Sequence, residues 1–103
     1  MNIRIKEKSF VAWVAAKVLH TDKVAIVFGT VIHLWNTEKN EFLDNKRWVK
    51  HELAHVEQFK QYGFARFIFL YLWETIKRGY YKNRFEAEAR TKEQEPLQHK
   101  GFS

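Results

Sequence analysis

The run His51-Glu52-Leu53-Ala54-His55 sets two imidazoles four residues apart with a carboxylate between them, inside a segment whose apolar spacing reads as helix. On a helix, side chains four apart stand one above the other, so both rings can reach one metal ion while the glutamate faces the open coordination position. That is the chemistry of a zinc hydrolase. In it, Glu52 needs no ligand role: it would take a proton from the attacking water and deliver it to the leaving amine. The chain contains no cysteine, which excludes disulfides, a cysteine zinc cage and a thiol nucleophile, so a metal site must be built from histidine and carboxylate. Zinc follows from those ligand types, although cobalt, nickel and manganese are accepted by the same donors.

A catalytic zinc takes three protein ligands and keeps one position open. After His51 and His55, the third must come from elsewhere, and residues 83–90 (Asn-Arg-Phe-Glu-Ala-Glu-Ala-Arg) offer Glu86 and Glu88, 31 and 33 residues beyond His55. Helices reversing at Gly63 and Gly79 can return the chain to the motif helix. Glu86 and Glu88 sit roughly 200° apart around a helix axis, so only one of them can face the ion. Glu86 has a competing role: with Asn83 as N-cap it falls at N3, where a glutamate reaches back to the cap's own N–H. Glu88 reads as a solvated or salt-bridged residue, and becomes the ligand if the helix starts in another register.

The elements that must position these groups are legible from their periodicity. Ile3 and Ile5 alternate with polar residues, hinting at a short strand. Ser9 caps a first helix over 10–19, whose apolar run after Arg4, Lys6 and Lys8 imitates a signal peptide until Lys17 interrupts it. Two β-branched runs, 24–28 and 31–35, flank Gly29-Thr30 and predict a hairpin whose glycine takes a positive φ. Residues 36–40 read as a polar loop. Asp44 is the expected N-cap of the motif helix over 45–62, buried through Trp48, Val49, Leu53, Val56 and Phe59 and ended by Gly63. An aromatic helix over 64–78 follows, then Asn83 opens a last helix over 84–94 before Pro96. The fold expected is α+β: one domain over 1–95 and a polar tail over 96–103.

HExxH followed by a helix carrying E-x-x-A, here Glu86-Ala87-Glu88-Ala89, resembles the gluzincin clan of zinc metallopeptidases. The residues His51-Glu52-Leu53-Ala54-His55-Val56-Glu57-Gln58 are similar to the HELxHxxQ core of small bacterial minigluzincin-type domains, and Gly29-Thr30-Val31-Ile32 is similar to the Gly-x-x-Ile hairpin upstream of it. The resemblance implies a zincin-like fold with Zn2+ on His51, His55 and Glu86, Glu52 as general base, and peptides as substrate. It implies that a small alanine one turn after Glu86 lets two helices approach, and that a strand edge, expected in the strand over 31–35, receives an extended peptide. One position departs from the pattern. The clan often carries an acidic residue four after the ligand glutamate to orient a zinc-bound histidine, and Arg90 stands there. Asp44, Glu57 or a backbone carbonyl would have to substitute. This departure gives weight to a rival reading, a non-catalytic metal-binding or protein-interaction domain on the zincin scaffold.

Other residues take plainer roles. His33 reads as cross-strand packing and His20 as a helix end, while His99 or Glu95 could fold back from the tail as a plug. Tyr80 and Tyr81 are candidate oxyanion donors, with aromatic packing as the expected role. With 18 basic against 12 acidic residues the chain carries +6, but no motif points to specific nucleic-acid binding. The run 67–73 is too short to span a bilayer. Core packing is the expected role, with a membrane-surface contact as the alternative. A cytoplasmic location is the default expectation.

Overall fold

β-Branched runs and apolar stripes settle into eight elements in the computed structural model, which describes residues 3–94. They are β1 (Arg4–Lys6), α1 (Phe10–Leu19), β2 (Val24–Phe28), β3 (Val31–Trp35), α2 (Lys39–Asp44), α3 (Lys46–Tyr62), α4 (Phe64–Lys82) and α5 (Arg84–Lys92). The α+β class expected from the sequence is what the chain forms. Glu95, His99 and the rest of the polar tail lie outside the described residues.

β2 and β3 make the hairpin around Gly29-Thr30, with Val24 opposite Trp35 and Phe28 opposite Val31. Gly29 takes φ 64°, a left-handed value that a residue without Cβ adopts at little cost. β1 adds in parallel to β3, giving the order β1-β3-β2. The strand expected to be an exposed edge, Val31–Trp35, is therefore central, and the edges are β1 and β2. The three-residue β1 is too short to announce in sequence which strand it will pair with.

Neighbouring residues on a strand face opposite sides. Val24, Ile26 and Trp35 meet Ala12, Ala15 and Ala16 of α1. Ala25, Val27, Ile32 and Leu34 join Phe42, Val49, Leu53, Val56, Phe59, Phe67 and Phe85 in the main core. Helices cover both faces of the sheet, which is why the strands are apolar throughout rather than alternating. Ser9 caps α1, and its Oγ lies 2.8 Å from His33 Nδ1; His33 packs in the sheet as expected. His20 ends α1 in the left-handed conformation.

The segment after β3 differs from expectation. Residues 39–44 are not loop and cap but the one-and-a-half-turn helix α2, which buries Phe42 edge-on against Trp48, 5.2 Å between ring centroids. Six residues are too few to show a helical period. The cap of α3 is accordingly Asn45, whose side chain accepts from Trp48 N, and not Asp44. The 67–73 run is also only half core: Phe67 is buried, whereas Phe69, Leu72 and Trp73 are exposed.

α4 breaks at Gly79, where φ is 83°, and the chain turns into α5 through Asn83. This side chain is fully buried. Its Oδ1 accepts from Phe85 N at 2.8 Å, while its Nδ2 donates to Tyr71 O and Thr75 Oγ1, each at 3.0 Å. Glu74 of α4 accepts from Arg84 N at 3.1 Å, placing a carboxylate at the positive end of α5. One asparagine thus ties α5 to α4 at a set angle. Asn83→Ala removes the cap, leaves the buried Phe85 N–H without its acceptor and breaks both ties to α4, so it should lower unfolding stability by about 1–2 kcal/mol, read from urea denaturation; a loss below about 0.5 kcal/mol would contradict this role.

Candidate metal centre

α3, α4 and α5 converge with the carboxylate of Glu86 between them. One turn apart on α3, His51 and His55 both direct Nε2 at it, at 2.9 and 3.3 Å from Glu86 Oε1. The three donor atoms lie within 4.8 Å of one another, a span that one ion with bonds of about 2.0–2.2 Å can close with small side-chain movements. Glu88 does not join them; it accepts from Gln58 Nε2 at 2.7 Å. Nor does Glu86 turn back to cap its own helix, since Tyr71 Oη donates to its second oxygen, Oε2. Ala89, one turn on, is completely buried where α5 packs on α3.

The far nitrogens of both rings are also engaged. His51 Nδ1 lies 2.6 Å from Glu93 Oε2, and His55 Nδ1 lies 2.8 Å from Gln58 Oε1. Gln58 uses its amide N–H groups on Phe85 O at 3.0 Å and on Glu88, so its oxygen must accept from His55 Nδ1–H. In each neutral ring this leaves the Nε2 lone pair facing Glu86, the tautomer a metal ligand requires. Glu93 stands where Arg90 could not serve, seven residues after Glu86 instead of four and on the same face of the helix. Arg90 instead donates to Tyr81 O at 2.6 Å and stacks over the Tyr81 ring at 4.1 Å. The substitutes expected from the sequence, Asp44 and Glu57, are not the ones at His51 Nδ1.

These groups floor a cleft of about 220 Å³. The free edge β2 forms one wall; Phe67, Ile68, Tyr71, Leu72 and Tyr80 form the other, and His51, Glu52, His55, Phe59 and Glu86 lie between. Of the two candidate tyrosines, Tyr80 lines the cleft and Tyr81 does not. Glu52 is buried at 6% exposure, with no hydrogen bond to any described residue.

Burial pushes the Glu52 carboxyl up to about 7, against the pull of His55 and His51. For His51 burial acts downward, but Glu86, Glu52 and Glu93 outweigh it and raise the ring to about 9. His55 is raised likewise, burial again opposing and Glu86 and Glu52 prevailing. Glu86 would be raised by burial, yet its bonds from His51 and His55 hold it well below the usual carboxylate range. Burial lifts Tyr80 to about 12. Glu52, Glu86 and Glu93 together bring three carboxylates to two imidazoles, a donor set that a divalent cation would balance.

No protein-family model matches the chain, and neither does any curated protein or solved structure.

Sequence reasoning missed Tyr71, Glu93 and the role of Gln58. Gln58 was within reach, three after His55 and so on its face of the helix; Glu93 shares a face with Glu86 and Arg90 but signals nothing without knowing that α5 crosses α3 there. Tyr71 comes from another helix with no spacing to betray it.

Metal coordination needs the Nε2 lone pair, so the proton that His51 holds at neutral pH must leave. Apparent metal affinity should therefore climb at least about tenfold per pH unit up to about pH 9, more steeply where His55 also gives up its proton, whereas an unperturbed histidine would level off near 6.5. Competition against a chelator across that range checks it. Glu93→Ala should weaken binding about 10–100-fold and bring the plateau to lower pH.

Proposed function

We propose that this chain is a minimal gluzincin-like metallopeptidase domain, hydrolysing peptide bonds with one zinc ion held by His51, His55 and Glu86. The observation that carries the reading is the convergence of those three donors, within 4.8 Å, beside a buried glutamate on the floor of an open cleft. When bound, zinc supplies Lewis-acid chemistry, polarising a carbonyl and bringing the pKa of water toward neutrality.

The chain's own residues do the rest. Glu52 accepts a proton from the attacking water and returns it to the leaving nitrogen, and a carboxyl near pH 7 is matched to both transfers. A bound cation would draw it lower and favour the base form. Glu93 and Gln58 hold the imidazoles in place, and Tyr71 turns Glu86 so that its other oxygen faces them. Tyr80 keeps its hydroxyl proton to well above neutral pH and is the cleft's donor for the developing oxyanion. The unpaired edge of β2 is the strand on which an extended peptide would pair, correcting the choice of Val31–Trp35.

The rival reading, a binding domain without catalysis, draws on the basic surface and on Arg90 in place of an acidic residue. Glu93 weakens the second ground, because a carboxylate reaches His51 Nδ1 all the same; the basic surface still speaks for the rival.

Elemental analysis of the purified protein should find about one zinc per chain. His51→Ala, His55→Ala and Glu86→Ala should each lose it, and Glu88→Ala should keep it. Glu52→Gln should retain the metal and lower peptide hydrolysis by at least about a hundredfold. A well-folded protein that takes up no zinc would sink the reading, and full activity in Glu52→Gln would remove Glu52 from the chemistry.

A further inference from the structure

α1 and α4 each leave a row of large apolar side chains in solvent, α1 while burying only alanines and α4 while also burying Phe67. α1 buries Ala12 and Ala16 while leaving Phe10 72% and Val18 69% exposed, with Val11 and Val14 between them. On α4, Phe69 is 68% and Ile76 78% exposed, and Leu72 and Trp73 are more than half exposed. At 100° per residue, each set forms a stripe about 100° wide, the width of a helix face that ordinarily meets a core.

One border of each stripe is basic. Arg66 and Lys77 flank the α4 stripe beside Trp73, and Lys17 flanks that of α1. α1 has no acidic residue, and the only one on α4, Glu74, is buried and held by Arg78 at 3.2 Å. Leu19 at the end of α1 and Leu72 of the α4 stripe both line the cleft.

We propose that these two stripes dock the domain onto an anionic lipid surface. Apolar stripes with basic borders and tryptophan are what an interfacial helix presents to lipid. A second copy of the chain fits the face poorly, since it would bring two +6 molecules together along basic borders. No helix among the described residues is long and apolar enough to cross a membrane, so the contact is one of lying on the surface. The inference does not depend on the metal or on hydrolysis.

The test is co-sedimentation of the full chain with vesicles of phosphatidylcholine containing about one-third phosphatidylglycerol, with tryptophan emission as a second readout. Binding with a blue shift is expected at about 0.05 M salt, falling at least about tenfold at about 0.5 M. Trp73→Ser with Ile76→Ser, and separately Phe10→Ser with Val18→Ser, should each weaken it about tenfold or more. Circular dichroism should show these variants folded, because the changed side chains are largely outside the core. Arg66→Glu with Lys77→Glu, which leaves the apolar stripe intact, should also abolish binding. Absence of binding at low salt would overturn the proposal. So would binding that the stripe variants leave unchanged, or self-association through these residues with no vesicle binding.

Discussion

A carboxylate taken out of water must have its charge answered, and Glu86, 3% exposed, is answered by His51, His55 and Tyr71. This one demand constrains the rest of the structure. α5 can bring Glu86 to α3 only if it starts at the right height, which Asn83 secures by bonding Tyr71 O and Thr75 Oγ1 of α4. It can come close enough only if the residue one turn on is small, and Ala89 is. Phe85, buried beside Glu86, stacks edge-on with Phe67 at 5.0 Å and so joins the same helix to the main core.

A cluster of buried ionisable groups is an expensive way to hold three helices together, since apolar residues of similar size would do it at less cost in desolvation. The groups here are moreover arranged by a further layer. Glu93 and Gln58 hold the outer nitrogens, and Gln58 has its orientation set in turn by Phe85 O and Glu88. Glu52 alone is left inside the cluster without a hydrogen bond, at the cleft floor. Perturbed ionisable groups gathered in a cleft, with one carboxylate uncommitted, mark a site arranged for chemistry more than for stability.

The two exposed stripes show the same logic on the surface. A domain of 103 residues has room for one core, and the side of the sheet under α1 is filled by alanines. The phenylalanine and valines of α1 and the outer aromatic residues of α4 are then left in water. Composition set the supply of apolar side chains above what the interior takes, and the surplus lies on the outer faces of α1 and α4.

Much of this was determined by sequence alone, because the signals are local. The His51/His55 pair, the hairpin at Gly29, the caps Ser9 and Asn83 and the breaks at Gly63 and Gly79 depend on residues within a few positions of one another, where helix and turn geometry dictate the outcome. Periodicity also named most of the α3 core. What only the tertiary structure decided are relations between elements: which strand is the sheet edge, that Phe69, Leu72 and Trp73 face outward, and that α5 crosses α3 with Glu86 inward and Glu88 outward. Asp44 and Asn45 as rival caps belong here too, since the burial of Phe42 against Trp48 is what creates α2. Glu93, Tyr71 and Gln58 are placed by packing between helices far apart in the chain, and the energy that selects such contacts comes from burying surfaces against each other, which no spacing along the sequence records.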